Sequence, residues 1–464
     1  MLAPSLVEPQ LGPPTPITAD RQTAAEARLT ELDGRTVALF RVDGSWPGTD
    51  GSAEADVVLR TLDLASNIGC PVVGIVHSVA VGADADGVAG LVAWGRVARA
   101  AARLSGIVPL LLAVTGPVHG GLAPLVGLAD HVVFTTAATA YINGPETIRM
   151  VTGLDLSADD VGGILTHRSA SGLAALVADD EDDALTALAD LLHTLPDNHL
   201  TEPPLGPTDD PVDRASDLAA ATVPVLPSAA YDVRIVLEDL LDRDSFLEVH
   251  SQHATNVVCG YGRVGGHAIA IVANQPAVRA GTIDIEASCK AARHVQHADA
   301  FGLPLLTLVD TPGYEPGKDL EWRGMIRHGA KLVHAYAGAS VPRVCVILRK
   351  SYGGAYIVMD SKTMGSDVVL AWPTAEIAVM GAPGAVAVLN RREIAEAEDP
   401  ESMRLALEDA YRTEMCTPRI AAQRGYVDQV IQPADTRAVV AAAFARLRHK
   451  RQPQRDHGHA NGPL

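Results

Sequence analysis

Pro71 and Pro304 stand 233 positions apart, and their surroundings read alike: Gly69-Cys70-Pro71-Val72-Val73 in one half, Gly302-Leu303-Pro304-Leu305-Leu306 in the other. The same spacing separates Pro109 from Pro342, each leading an apolar run, and Gly120-Gly121 from Gly353-Gly354, where those runs end. A third landmark, Ala140-Tyr141-Ile142-Asn143-Gly144 against Ala378-Val379-Met380-Gly381, keeps the correspondence with a spacing of 237 at its glycine. A chain of 464 residues that repeats at half its length reads as two copies of one domain. Each copy is long enough to bury its own core.

Both copies alternate apolar runs of strand length (Pro71 to Val76, Pro109 to Val114, Pro304 to Val309, Pro342 to Leu348) with helical patterns such as Leu91 to Leu104 and Met325 to Ala337. Strands that are apolar without alternation are covered on both faces, which predicts an α/β fold in each copy. The stretch 196–228 carries seven prolines and reads as a linker between domains at 23–195 and 229–452. The first 22 residues, also rich in proline, are expected to form a disordered leader, and 453–464 a tail.

Composition removes several functions. The 56 Asp and Glu outnumber the 37 Lys and Arg, leaving a net charge of −19, and only 4% of residues are aromatic. Such a chain repels phosphate backbones and has few rings to stack on bases, so nucleic acid is not an expected partner. Five widely spaced cysteines offer no zinc-site pattern, so no metal is expected, and they fit reduced thiols. The first residues lack the basic start and apolar core of a signal peptide, and the chain reads as cytoplasmic. Ile107 to Phe134 is almost uncharged for a length that spans a bilayer, but prolines and glycines break it. It reads as a buried strand, a turn and a short helix, with no membrane partner.

The chemistry concentrates at the two Gly-Gly turns. In Thr115-Gly116-Pro117-Val118-His119-Gly120-Gly121-Leu122 and Arg349-Lys350-Ser351-Tyr352-Gly353-Gly354-Ala355-Tyr356, an apolar strand runs through two glycines into a helix. Glycines there leave the backbone N–H groups of a helix start unshielded, able to donate to an anionic oxygen. A tight turn alone would also select glycine, but two such turns at equivalent places in a duplicated chain favour an oxyanion hole. Neither turn carries a Ser/His/Asp set or paired carboxylates, which makes acyl-enzyme chemistry a poor fit.

The second half resembles the carboxyltransferase β subunits of biotin-dependent acyl-CoA carboxylases, of the propionyl-CoA carboxylase type. The resemblance runs through 272–276 (VANQP), 284–293 (DIEASCKAAR), 309–317 (VDTPGYEPG), 326–332 (IRHGAKL), 349–359 (RKSYGGAYIVM), 371–381 (AWPTAEIAVMG) and 424–430 (RGYVDQV). The first half is similar only at Gly116-Pro117, Gly120-Gly121 and Ile142 to Gly163. The resemblance implies two tandem crotonase-like domains and two oxyanion holes: Gly120 and Gly121 for the carbonyl of an acyl-CoA thioester, and Gly353, Gly354 and Ala355 for the ureido oxygen of carboxybiotin. It also implies that carboxybiotin comes from a partner, a biotin carboxylase/biotin carrier α subunit, since no biotin-attachment or ATP-grasp segment is visible here. It implies, too, a homo-oligomer of dimer units forming a hexamer.

The chain departs from the family pattern in places. At His77-Ser78-Val79-Ala80-Val81-Gly82-Ala83-Asp84, a thioester-binding loop in the resembling proteins, Gly82 and Ala83 keep part of the pattern while Asp84 stands for an arginine. His119 stands where alanine is usual, as a neighbour of substrate able to act as acid or base or simply a bystander. Ile357 follows Tyr356 at a pocket-lining position and adds apolar surface, which predicts an altered acyl preference. The acidic run Asp179 to Asp183 reads as the start of a helix rather than a metal site. Two alternatives stand beside carboxyl transfer: a biotin-independent enolate reaction such as decarboxylation of a CoA or carrier-protein thioester, and a non-catalytic scaffold.

Overall fold

The computed structural model describes residues 12–17, 24–43, 51–77, 88–450 and 461–463. Two compact units emerge, the first comprising Met1–Pro204 with Val249–His253, the second Leu205–Glu248 with Ala254–Leu464. The proline-rich stretch 196–228 therefore divides, its residues from Leu205 onward packing with the second unit.

The first unit is built on a seven-stranded sheet of β1 (Thr15–Pro16), β2 (Ala25–Leu32), β3 (Arg35–Asp43), β4 (Val72–His77), β5 (Leu110–Val114), β7 (His131–Thr135) and β9 (Leu176–Ala178), in that order; β6 (Pro117–Val118) and β8 (Thr139–Ala140) pair separately. β2 and β3 form an antiparallel hairpin closed by Asp33 and Gly34, with φ of 51° and 77°. Positive φ at both central residues is what a two-residue hairpin turn with the right twist requires, and Asp-Gly supplies it. From β3 onward the strands are parallel. Every residue of β5 and β7 is buried, as expected of strands covered on both faces.

Helices Gly51–Ile68 and Val88–Leu104 pack together in this unit. Val58, Leu62 and Ala65 of the first and Ala93, Val97, Ala101 and Leu104 of the second repeat at helical spacing and join Phe40, Val72, Leu112 and Phe134 in one core. The almost uncharged stretch 107–134 is β5, a turn, the helix Ala123–Leu128 and β7. No helix of the described residues is long and apolar enough to cross a membrane. The helix Glu181–Thr194 begins at the acidic run, where the Asp180 carboxylate accepts the N–H of Asp183 at 3.0 Å and three acids fill the first turn. Within the proline-rich start, composition gives no reason for order, yet Thr15 and Pro16 pair with Leu29 and Arg28.

The second unit repeats the plan with an eight-stranded sheet: β10 (Leu247–Val249), β11 (Val257–Val264), β12 (His267–Asn274), β13 (Leu305–Thr311), β14 (Arg343–Tyr352), β15 (Val368–Ala371) and β17 (Gln429–Val430) in order, with β16 (Glu376–Ala378) beside β14. β11 and β12 form a hairpin closed by Gly265 and Gly266, both left-handed, answering Asp33 and Gly34. Helices Ile285–Ala300 and Met325–Gly338 answer the packed pair of the first unit. The Asp284 carboxylate caps the former, accepting from the Ala287 N–H at 2.8 Å. The duplication thus reaches further toward the N-terminus than the sequence landmarks, to the hairpin that opens each copy. It also preserves detail: Pro117 pairs with Thr139 as Lys350 pairs with Glu376, at the spacings of 233 and 237 set by the sequence.

Candidate active site

In the first unit β5 gives way at Thr115 and Gly116 to the two residues of β6, after which His119 is extended (φ −154°, ψ −178°) and Gly120 turns left-handed at φ 65°. A short 3-10 turn, Gly120–Leu122, then leads into the helix Ala123–Leu128, with the Ala123 N–H returned to the Gly120 carbonyl. The two glycines have different reasons to be glycine. A Cβ on Gly120 would meet nothing within 4 Å, so its requirement is the backbone angle; a Cβ on Gly121 would lie 2.6 Å from Cδ1 and Cγ of Trp94. Gly120 is exposed and its peptide is not covered by a side chain of its own.

His119 lies parallel to Tyr141, ring centroids 5.6 Å apart and planes 1° from parallel. Burial holds its imidazole below the usual histidine range, so it is neutral at neutral pH. Sequence reasoning named Tyr141 only as a landmark of the repeat. Its stacking partner follows from the parallel pairing of Val118 with Ala140, which sets the next residue of each strand side by side.

In the second unit β14 is buried along its whole length and ends at Tyr352, whose phenol donates to Glu376; Glu376 also pairs with Arg412 at 3.2 Å. Gly353 is left-handed at φ 57° and opens the helix Gly353–Val358. Gly354 is exposed, and a Cβ there would press on the ring of Tyr314 at 3.3 Å. The Tyr314 hydroxyl, pushed up to about 12 by burial, stays protonated. Ala355 is buried and Tyr356 half-buried, whereas Ile357 is 47% exposed. The Tyr356 hydroxyl is enclosed without a hydrogen-bond partner among the described residues.

The structure thus gathers His119, Gly120 and Gly121 into one turn and Gly353, Gly354, Ala355, Tyr356 and Ile357 into another, each in its own unit. Gly82 and Ala83 lie outside the described residues. Trp94 and Tyr314 went unnoticed in the sequence, although a glycine at the second place of each pair signals a close neighbour. Among the described residues no group of three or more His, Cys, Asp or Glu is placed to hold a metal ion.

A family model for the carboxyl transferase domain matches residues 29–460. A propionyl-CoA carboxylase carboxyltransferase subunit of Haloferax mediterranei is 45% identical over 438 residues, covering 94% of this chain and 84% of that protein. The alpha subunit of a methylmalonyl-CoA decarboxylase of Propionigenium modestum is 38% identical over 435 residues, covering 93% and 84% respectively. Among solved structures, a transcarboxylase 12S crystal structure, described as a hexamer with methylmalonyl-CoA and methylmalonic acid bound, matches with a TM-score of 0.91 at 38% identity, over 95% of this chain and 85% of that one. The α/β architecture with two large sheets is accordingly the tandem crotonase-like fold that the repeat and the resemblance lead one to expect. With two equivalent Gly-Gly turns in that fold and a family match over nearly its whole length, this chain belongs to the carboxyl transferase domain family of enzymes.

Proposed function

We propose that the chain is the carboxyltransferase β subunit of a biotin-dependent acyl-CoA carboxylase. It moves CO2 from carboxybiotin, carried by a biotin carboxylase/biotin carrier α subunit, to the α-carbon of an acyl-CoA. The observation that carries this reading is the pair of left-handed glycines, Gly120 and Gly353, at equivalent places in a carboxyl transferase chain. Exposed Gly120 and Gly354 leave room for a carbonyl or ureido oxygen to approach backbone N–H groups, which fits both substrates.

In this reading Gly120 and Gly121 hold the thioester oxygen while the α-proton leaves, and Gly353, Gly354 and Ala355 hold the ureido oxygen as carboxybiotin releases CO2. The proton passes to the biotin nitrogen that has lost the carboxyl group, and the electron pair left on the α-carbon attacks CO2. Each donor aimed at developing negative charge contributes about 3 kcal/mol in comparable sites. Tyr356 and Ile357 border the acyl group, and Gly82 and Ala83 approach the thioester. An apolar side chain at Ile357 favours an acyl chain without a polar end. The net charge of −19 makes binding of anionic CoA depend on local basic groups. A homo-oligomer of dimers arranged as a hexamer is supported by the hexameric relative. A cytoplasmic working location is supported by the five widely spaced cysteines, all free thiols.

The test is to incubate the protein with its α subunit, ATP, bicarbonate and a panel of acyl-CoAs. Carboxylation that requires the α subunit is expected, and the Gly354→Val variant should lose it. A second reading, decarboxylation of a malonyl-type thioester, is supported by the likeness to a decarboxylase alpha subunit. Release of CO2 from such thioesters without net carboxylation of any acyl-CoA in the panel would favour it.

A further inference from the structure

β13 and β14 run parallel and in step from Leu305 against Arg343 to Val309 against Ile347. The next pair is Thr311 against Ser351, so β13 advances two residues while β14 advances four. β14 therefore bulges at Leu348, Arg349 and Lys350, and Asp310 stands opposite. The bulge is also where β14 changes neighbour: Val344 to Ile347 lie against β15, Lys350 to Tyr352 against β16. A bulge bends a strand and redirects the chain beyond it, and the chain beyond this one is the Gly353-Gly354 turn.

A buried ion pair fastens this bend. Asp310 Oδ2 accepts from Arg349 Nε at 2.9 Å, and Oδ1 accepts the Lys350 backbone N–H at 3.2 Å. Both side chains are essentially without solvent contact. Asn274 Oδ1 accepts the Asp310 backbone N–H at 3.3 Å, holding the main chain at Asp310 from the sheet side. Arg349 Nη1 donates to the carbonyls of Leu226 and Ala229 at 2.8 Å each, and Lys350 Nζ to that of Pro227 at 3.1 Å. The proline-rich segment is thus strapped onto the bulge, with the Tyr231 ring 5.1 Å from the guanidinium carbon.

The first unit makes the same bend by other means. Counting back 233 positions, His77 corresponds to Asp310 and Gly116 to Arg349. The His77 ring packs so closely on Gly116 that a Cβ there would be 2.6 Å from Nδ1, and the strand breaks at that point into β5 and β6. Contact with a bare glycine does in one unit what a charged clamp does in the other.

We propose that Asp310 and Arg349 are positioning residues for the carboxyltransferase reaction: their ion pair sets the bulge that aims the Gly353-Gly354 turn at its substrate oxygen. This rests on the function proposed above for that turn. Neither side chain touches the reacting atoms; each acts through the direction of the β14 end. A small misplacement of oriented donors costs rate far more than ground-state affinity.

The experiment compares Asp310→Asn and Arg349→Lys with Asp242→Asn, which cuts a second buried pair of the same unit, Asp242 with Arg437 at 2.7 Å, away from the turn. Each variant is assayed with the α subunit for kcat and for the KM of acyl-CoA, and by amide hydrogen exchange over 353–355. Asp310→Asn and Arg349→Lys should lower kcat by about tenfold or more with the acyl-CoA KM nearly unchanged, and should speed exchange at 353–355. Asp242→Asn should lower the unfolding midpoint but leave kcat and that exchange as in the unaltered protein. Arg349→Lys keeps the buried charge opposite Asp310 and serves where Asp310→Asn does not fold. Unaltered kcat and exchange in a folded Asp310 or Arg349 variant, or an equal kcat loss in Asp242→Asn, would overturn the proposal. An unaltered protein inactive with the α subunit would instead refute the functional reading, and exchange at 353–355 would still decide whether the pair sets the turn.

Discussion

Gly120 and Gly353, 233 positions apart, hold the same left-handed backbone, φ 65° and 57°. Around Gly120 a Cβ would find open space, and around Gly353 its nearest neighbour would be the Val379 carbonyl at 3.2 Å. The shared property is therefore the backbone angle and the direction it gives to the N–H groups of the next residues.

Alanine at either position must adopt a conformation that costs an L-residue roughly 1 to 2 kcal/mol. Gly120→Ala and Gly353→Ala should each lower stability by about that amount in urea unfolding. Turnover should fall further than stability predicts, since the alternative is for the turn to relax and carry its donors away. Gly120→Asn, a residue that tolerates left-handed backbone, should recover much of the stability. Stability unchanged in Gly120→Ala would mean that the left-handed angle is not required.

Gly121 is a case of space rather than angle. With Trp94 Cδ1 2.6 Å from the position of its missing Cβ, Gly121→Ala forces the indole or the turn to move. Overpacking of this kind costs about 1 to 3 kcal/mol. Replacing Trp94 by Leu in the Gly121→Ala background should return part of the loss, measurable as non-additivity in a double-mutant cycle.

The second unit has an acid-sensitive core. His294 is fully buried against Gly260, its Nε2 3.0 Å from the Gly260 carbonyl, and burial lowers its pKa to about 4. The unfolded chain binds the proton near pH 6.5 and the folded chain does not until about pH 4, so stability falls as pH drops through that window. The loss should reach on the order of 3 kcal/mol near pH 4. His294→Gln should reduce the pH dependence of the unfolding free energy between pH 6.5 and 4 by this share, while buried His297, whose pKa burial also lowers, keeps the remainder; an unchanged slope would exclude His294 as a source.

His119 shifts in the same direction for the same cause, burial, and is neutral where the enzyme works. Stacked on Tyr141 beside Gly120, it borders the turn as an uncharged ring. His119→Ala is expected to raise the acyl-CoA KM by a few-fold while kcat stays within about threefold. A tenfold fall in kcat, with loss of a titration below pH 6.5 from the kcat profile, would make it the proton carrier instead.

Much of this was legible in the chain itself. Repetition at 233 residues named two copies, unbroken apolar runs named buried strands, and the long strings of the second half named a family. Asp33-Gly34 and Gly265-Gly266, which close the opening hairpins, are local turn signals of the same kind, but they were not among the repeat landmarks and the structure was needed to point them out. These are local or periodic signals, and a backbone angle that only glycine adopts easily leaves its mark at a single position.

What the sequence could not show depends on residues far apart being brought together. Asp310 meets Arg349 across 39 positions and Arg349 meets Leu226 across 123, so nothing in the local pattern of either announces the clamp. The proline count of 196–228 marked a linker, yet from Leu205 onward that segment packs with the second unit, held in part by its carbonyls on a buried guanidinium. Trp94 behind Gly121 and Tyr314 behind Gly354 likewise appear only when a helix and a loop fold back on the turns. The sequence by itself determined the repeated domain, the buried strands and the glycines of each turn, because those arise from chain geometry and burial. Only the tertiary structure decided how each turn is aimed, because aim is set by a bulge, an ion pair and two aromatic rings whose partners lie elsewhere in the chain.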